Sequence, residues 1–394
     1  MPFVLWVLVA GFIGGQLAAL PLFAGARLTL LDVAVVTVLV YAAYKKTKKR
    51  FIPKLWMPVL GFAVVALISL GMTIGSVPLY VVGGGLLYII RWVMYAALYW
   101  VTASALIPAA SWLSLLMGSG VMIGLLGLVQ YGWYPDLRNL SYLGWDPHYQ
   151  RLFSTLLDPN FTGLILAFTS LAIFSRFVEE RKNMWLLSGL GITLTSLMLT
   201  YSRSSLIAFF VGIIVWGVYA KRKKLVAGVV LLVLCVVMVL PHTGEGRNLF
   251  RTVSTYARIG NIERAVTLIR EKPLLGHGFN ILRFVARDRS WIDESVAPSR
   301  AGAGLDTSLL FVGATTGVVG MIVYGWLLVS LFRLGALGLH AKKNRVRSDA
   351  ALYISVLAAA LVHSVFINSL FYPWVMVWLW VATGALEQRI TAGK

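Results

Sequence analysis

Apolar residues run along the whole chain in blocks close to the length of helix that crosses about 30 Å of hydrocarbon, with short polar breaks between them. The blocks fall at 3–22, 28–44, 55–74, 79–106, 109–131, 161–177, 184–200, 204–220, 225–241, 306–332, 351–370 and 373–388. Lipid leaves backbone N–H and C=O groups no partner but one another, so each block predicts a helix. The pattern therefore predicts an all-α polytopic membrane protein with about twelve transmembrane helices. No Lys or Arg precedes the first block. Although Ala24-Gly25-Ala26 follows it in the manner of a signal-peptidase site, it reads as an uncleaved first helix.

One interval breaks the rhythm. Residues 242–305 form an outer loop too long for a simple connection, dividing the chain into helices 1–9 (1–241), the loop (242–305) and helices 10–12 (306–394). Within the loop Ile259, Ile262, Val266 and Ile269 recur at helical spacing, predicting an amphipathic helix over Tyr256–Glu271 that Pro273 ends. Its apolar stripe is expected on the bilayer surface or on the helix bundle. A second outer loop, 132–160, is rich in aromatic residues and carries Arg151, Asp158 and Asn160.

Composition agrees with the pattern: 59% of the 394 residues are hydrophobic and 13% charged, with mean hydropathy +0.82. The formal net charge of +20 sits in loops between apolar blocks rather than on a soluble face, which argues against nucleic acid as a partner. The single cysteine, Cys235, lies in an apolar block, where it is expected as a small core residue and excludes an intrachain disulfide. Charge does decide orientation. Lys45, Lys46, Lys48, Lys49 and Arg50, then Lys221 to Lys224, then Lys342, Lys343, Arg345 and Arg347 all fall on one side, which is cytoplasmic by the positive-inside rule and puts both termini there. The opposite side carries mostly Arg, concentrated between Arg247 and Arg300. Retention of charge alone is indifferent to Lys or Arg, whereas bidentate recognition of phosphate or carboxylate prefers Arg.

The absences narrow the chemistry. There is no Walker A loop, no dinucleotide fingerprint, no His-Glu-x-x-His and no Asp-x-Asp pair, so neither a cofactor nor a metal site is expected. Gly276-His277-Gly278 is too short for a phosphate loop and reads as a tight turn. Three positions stand out: Arg203 in the Tyr201-Ser202-Arg203-Ser204-Ser205 turn, Arg258 at the start of the amphipathic helix, and Asp306 before the tenth block. Interfacial snorkelling, a solvated cation and a helix N-cap are the respective structural alternatives. Arg91, Asp32, His363 and Asn368 lie within apolar blocks, where polar residues are functional candidates by default; Arg91 with Asp32 also reads as a helix-tying pair, and His363 as a hydrogen-bonded packing residue ahead of a proton-transfer group.

Together these residues resemble the O-antigen ligase and O-antigen polymerase superfamily of bacterial envelope proteins. Arg258 through Phe279, ending in Pro273-Leu274-Leu275-Gly276-His277-Gly278-Phe279, is similar to the family's outer-loop motif of an arginine, a helix and Pro-Leu-x-Gly-x-Gly. Asp306-Thr307-Ser308-Leu309-Leu310 with Gly317 and Gly320 resembles the opening of the helix after that loop. Arg151 with Asp158-Pro159-Asn160 and the Ser202-Arg203 turn fit as well. Two departures stand beside this. Asp306-Thr307 replaces the His-Asn or His-Ser usual in the ligases and looks more like members that polymerise repeat units, and Ile262 replaces a tryptophan four residues after the loop arginine.

The resemblance implies a GT-C-like bacterial inner-membrane enzyme with no metal or other cofactor. It would transfer a glycan from an undecaprenyl-pyrophosphate carrier to a sugar hydroxyl of an acceptor glycan or lipid on the outer side. Asp306 would be the base, and Arg203, Arg258 and Arg151 would hold the pyrophosphate. Arg91, Asp32 and His363 are secondary candidates. A flippase of lipid-linked oligosaccharide is the alternative, and a peptidoglycan-type glycosyltransferase a third reading. A transporter, however, is expected to carry its cations near the membrane midplane.

Overall fold

The computed structural model describes residues 2–22, 27–45, 52–180, 183–239, 241, 247, 253–292 and 304–392, with the side chains of all of these except 253–257. Ala24-Gly25-Ala26, Lys46, Lys48, Lys49, Arg50 and Arg300 lie outside the described residues, as do 242–246, 248–252 and 293–303 of the expected 242–305 loop.

Helices occupy every predicted block: α1 Phe3–Gly14, α2 Leu30–Lys45, α3 Trp56–Gly71, α4 Leu79–Ala103, α5 Ala109–Trp133, α6 Pro159–Glu179, α7 Met184–Leu199, α8 Arg203–Tyr219, α9 Lys223–Val239, α12 Ser308–Leu339, α13 Asn344–Ser364 and α14 Pro373–Ala392. Between α9 and α12 lie α10, Val253–Glu271, which covers the predicted amphipathic helix, and the short α11, Leu282–Asp288, which the pattern did not predict. Among the described residues five helices, α4, α5, α6, α12 and α13, are long and apolar enough to cross a membrane, and α1, α3, α7 and α8 are shorter apolar helices. The chain is thus a polytopic helical membrane protein.

Three details differ from the pattern. The first block is not one helix. Gly15, at φ 61, ψ −141, ends α1, and the chain then forms an antiparallel ribbon of β1 Ala19–Pro21 and β2 Arg27–Thr29. Cys235 is exposed on α9 rather than buried, because α9 buries only Val226 and Val233. On α10 the buried face is Ala265 and Leu268, with Ile269 against α12, while Ile259 and Ile262 remain exposed. Those two isoleucines leave an apolar strip for the bilayer surface.

The core lies along α6, α13 and α14, whose residues are buried on nearly every turn, with α8 packed on α13 and α4 on α14. At the end of the bundle marked by the lysine loops, Asp349 joins Arg176 at 3.1 Å and Arg389, tying α6, α13 and α14 together.

Asp32 and Arg91 form the expected pair between α2 and α4. Arg91 Nε and Nη2 donate to the two carboxylate oxygens at 2.8 and 2.9 Å. The carboxylate also accepts from Tyr95 Oη and from the Thr29 N–H and hydroxyl, while the Asp32 N–H returns a bond to Thr29 Oγ1. Breaking a buried pair strands the surviving charge. Arg91→Ala and Asp32→Ala should therefore each cost about 3–5 kcal/mol, and the double replacement should cost less than the sum. Thermal unfolding in detergent measures this, and strictly additive losses would contradict the pairing.

The outer-loop motif is built into α12. Gly317 adopts φ 67, ψ −167 in the middle of that helix, so the neighbouring N–H and C=O groups lose their helical partners. The Pro273–Gly278 segment supplies replacements. Val318 N–H donates to Pro273 O (2.8 Å) and Val319 N–H to Leu274 O (3.3 Å), while Ala314 O and Thr315 O accept from the His277 and Gly278 N–H groups at 2.9 and 3.1 Å. The approach is too close for any side chain. A Cβ at Gly317 would lie 2.2 Å from Leu274 O, and one at Gly276 2.4 Å from the Thr315 carbonyl carbon. The Gly276-His277-Gly278 turn is therefore a splice that fixes α10, and with it Arg258, against α12 and Asp306.

Candidate functional site

Three helix N-termini meet at the end of the bundle opposite the lysine loops. Asp158 caps α6, its Oδ1 accepting from the Asn160 and Phe161 N–H groups at 2.6 and 3.1 Å. Ser202 caps α8 and donates to Asn160 Oδ1 at 2.9 Å, which joins the two starts. At α12 the N-cap is Thr307, which makes no side-chain cap bond and instead donates to Val365 O at 3.0 Å. Asp306 is therefore not the cap of that helix. Its N–H donates to Asn261 Oδ1 on α10 at 2.9 Å, and its half-buried carboxylate lies beside Arg258.

Arg258, in the second turn of α10, is half-buried, with its guanidinium 5.6 Å from the centre of the Phe366 ring. Burial lowers its pKa, the Asp306 charge opposes that, and Arg203 lowers it further. Arg203, Arg258 and Asp306, from three separate segments, thus share one electrostatic neighbourhood. Burial raises the Asp306 carboxyl and Arg258 pulls it down. Two half-buried arginines that repel each other favour an anion beside them.

Arg151 has another position. It is only 2% exposed, and its Nε and Nη2 donate to the carbonyls of Thr200 and Tyr201 at 2.9 and 3.4 Å. Those bonds hold the turn that precedes Arg203, where Tyr201 adopts φ 49. This geometry makes Arg151 a support beneath the turn rather than an open member of an anion clamp. Arg91 and Asp32 are engaged with each other on α2 and α4. His363 is fully buried on α13, 3.3 Å from the hydroxyls of Ser204 and Ser205. Asn368 lies in the α13–α14 connection, not within a helix.

The sequence reading missed Asp146. This half-buried residue of the aromatic outer loop has its pKa pushed up to about 6 by burial, then by the charges of Asp158 and Asp306, against the pull of Arg151. No motif surrounds Asp146, and only folding brings it near Asp306. The same fold corrects the expectation that no ligand cluster exists: Asp146, His148 and Asp158 each offer a ligand atom within 4.8 Å of one another. Two features weigh against a cation there. Asp158 Oδ1 already accepts two backbone bonds, and Arg151 Nη1 lies 3.4 Å from His148 Nδ1, placing a positive group where a metal would need to approach.

The raised Asp146 value has a testable sign. Between its ordinary value of 3.8 and about 6 the folded protein binds a proton that the unfolded chain does not. The stability this contributes is present at low pH and is lost as pH rises through about 6. Asp146→Asn should raise the thermal midpoint at about pH 7.5, and the advantage should shrink by about pH 4. An equal difference at both pH values would refute the assignment.

Residues 188–325, from α7 into α12, match the family described as O-antigen ligase, which bears out the resemblance to the O-antigen ligase and polymerase superfamily. The match takes in Arg203, Arg258, the Pro273–Gly278 splice and Asp306, whereas Arg151, Asp146 and His363 lie outside it. No curated protein matches the chain.

Proposed function

We propose that this protein, whose residues 188–325 match the O-antigen ligase family, is a glycosyltransferase that acts on lipid-linked glycans at the outer face of the membrane. It takes a glycan from an undecaprenyl-pyrophosphate carrier in the bacterial inner membrane and passes it to a sugar hydroxyl. The observation that carries this reading is the convergence of Arg203, Arg258 and Asp306 at one end of the bundle. Transfer breaks the bond between the sugar C1 and the pyrophosphate oxygen and forms a bond from C1 to the acceptor oxygen. Asp306 takes the acceptor's proton. Arg203 and Arg258 stabilise the charge that develops on the departing lipid pyrophosphate, and the splice holds Arg258 in register with Asp306.

Asp306 in place of the ligases' histidine favours the polymerase version, in which the acceptor is another lipid-linked repeat. The described lysine-rich connections at 221–224 and 342–347 lie at the opposite end from this site, which supports a cytoplasmic placement of both termini. A flippase would need its cations near the middle of the bundle, whereas Arg203 and Arg258 stand at helix starts on one face.

Purified protein incubated with an undecaprenyl-pyrophosphate-linked repeat should produce a ladder of lengthened glycans. The ladder should persist in EDTA, because the arginines supply the electrostatic stabilisation a metal would otherwise provide. Single transfer to a separate lipid acceptor would identify a ligase. Loss of product in EDTA with recovery on adding magnesium or manganese would overturn the metal-free clamp and point to Asp146, His148 and Asp158.

A further inference from the structure

The turn that carries Arg203 rests on a closed set of side-chain hydrogen bonds reaching into α13. Ser205 Oγ donates to the Asn160 carbonyl at 2.8 Å, and Ser202 Oγ donates to Asn160 Oδ1 at 2.9 Å. Ser204 Oγ lies 3.2 Å from Ser202 Oγ, and His363 Nε2 lies 3.3 Å from both the Ser204 and Ser205 hydroxyls. His363 Nδ1, also buried, has no hydrogen-bond partner among the described residues.

Counting donors fixes the tautomer. Each hydroxyl has one proton, and those of Ser205 and Ser202 go to Asn160. If the ring proton sat on Nδ1, a buried N–H would be left unpaired, at a cost of about 1–3 kcal/mol. With the proton on Nε2, the ring donates to Ser204 and Ser205, Ser204 donates to Ser202, and only the bare Nδ1 lone pair goes unused. The ring also interacts with the Asn160 carbonyl, which can only accept.

We infer that His363 is the positioning residue for Arg203. Its Nε2–H anchors the first turn of α8 to α13, so that the guanidinium leaves a fixed helix start at the angle that meets Arg258. This rests on the reading of Arg203 as a pyrophosphate ligand. Arg151 holds the same turn from the other side through Thr200 and Tyr201, so two buried donors on different elements clamp one short segment. Such support is what a bidentate arginine requires, since a misplacement of about 1 Å can cost as much as 100-fold in rate.

The test uses full-length purified protein and initial rates on an undecaprenyl-pyrophosphate-linked repeat. His363→Ala should lower kcat/KM for the lipid-linked repeat by roughly 10- to 100-fold. His363→Gln, whose terminal amide can place an N–H near the Nε2 position, should recover most of the loss. The double variant Arg203→Lys with His363→Ala should be no slower than Arg203→Lys alone, because the histidine acts through the arginine. Losses that multiply, or a normal rate for a folded His363→Ala while Arg203→Lys is impaired, would overturn the inference. A normal rate for Arg203→Lys would instead overturn the clamp itself. Should His363→Ala fail to fold, Ser204→Ala removes an acceptor of the same bond, and its loss should likewise vanish in the Arg203→Lys background.

Discussion

Asp306→Asn lowers glycan transfer by roughly 100-fold or more, the scale of a positioned general base, while leaving the fold and its thermal midpoint in place. A residue just before a helix usually reads as its cap, and Asn would then substitute for Asp with little effect. Here Thr307 holds the N-cap position, and the Asp306 backbone rather than its carboxylate is tied to Asn261. The carboxylate is left half-buried beside Arg258, where burial raises its proton affinity and the guanidinium limits the rise. Asn keeps the size and the backbone bond but cannot take a proton from an acceptor hydroxyl. Asp306→His should recover part of the activity, since imidazole can accept that proton. Initial rates alongside an unfolding curve decide the matter, and near-normal turnover by the Asn variant would remove Asp306 from the chemistry.

Arg203→Lys and Arg258→Lys should each slow transfer by about 10- to 100-fold although both keep the charge. A lysine ammonium presents a point charge on a flexible stem, whereas guanidinium offers parallel N–H groups to two phosphate oxygens. Arg258 also faces the Phe366 ring, a contact that favours the flat guanidinium over a compact ammonium. If both lysine variants make product at the normal rate, charge alone suffices and bidentate geometry has no part in the site.

Much of this architecture is legible in the sequence because lipid imposes a simple rule on it. An apolar run long enough to cross must be a helix, and every predicted block holds one. Asp32 and Arg91 were legible as a pair because opposite charges in neighbouring apolar helices can afford few other arrangements. Departures arise where backbone, not hydropathy, decides. Leu20 and Pro21 are as apolar as the helix before them, yet the left-handed Gly15 turns them into a ribbon. Gly317 looks like any glycine in a membrane helix, and its break becomes visible only once Pro273–Gly278 is seen paired to it. Part of the site was hidden for a related reason. Asp146 stands alone in an aromatic loop, and its nearness to Asp306 is a product of the fold that no local spacing records. Arg151 could be read as important but not as a support, since its partners are carbonyls, which every residue has.

The claim that glycan transfer occurs at Arg203, Arg258 and Asp306 is tested most directly by following the lipid rather than the sugar. Purified protein in detergent with an undecaprenyl-pyrophosphate-linked repeat should release one free undecaprenyl pyrophosphate for each glycosidic bond formed, quantified together by mass spectrometry, and the Asp306→Asn variant should release almost none. Release without bond formation, or bond formation that continues unchanged in the variant, would contradict the account.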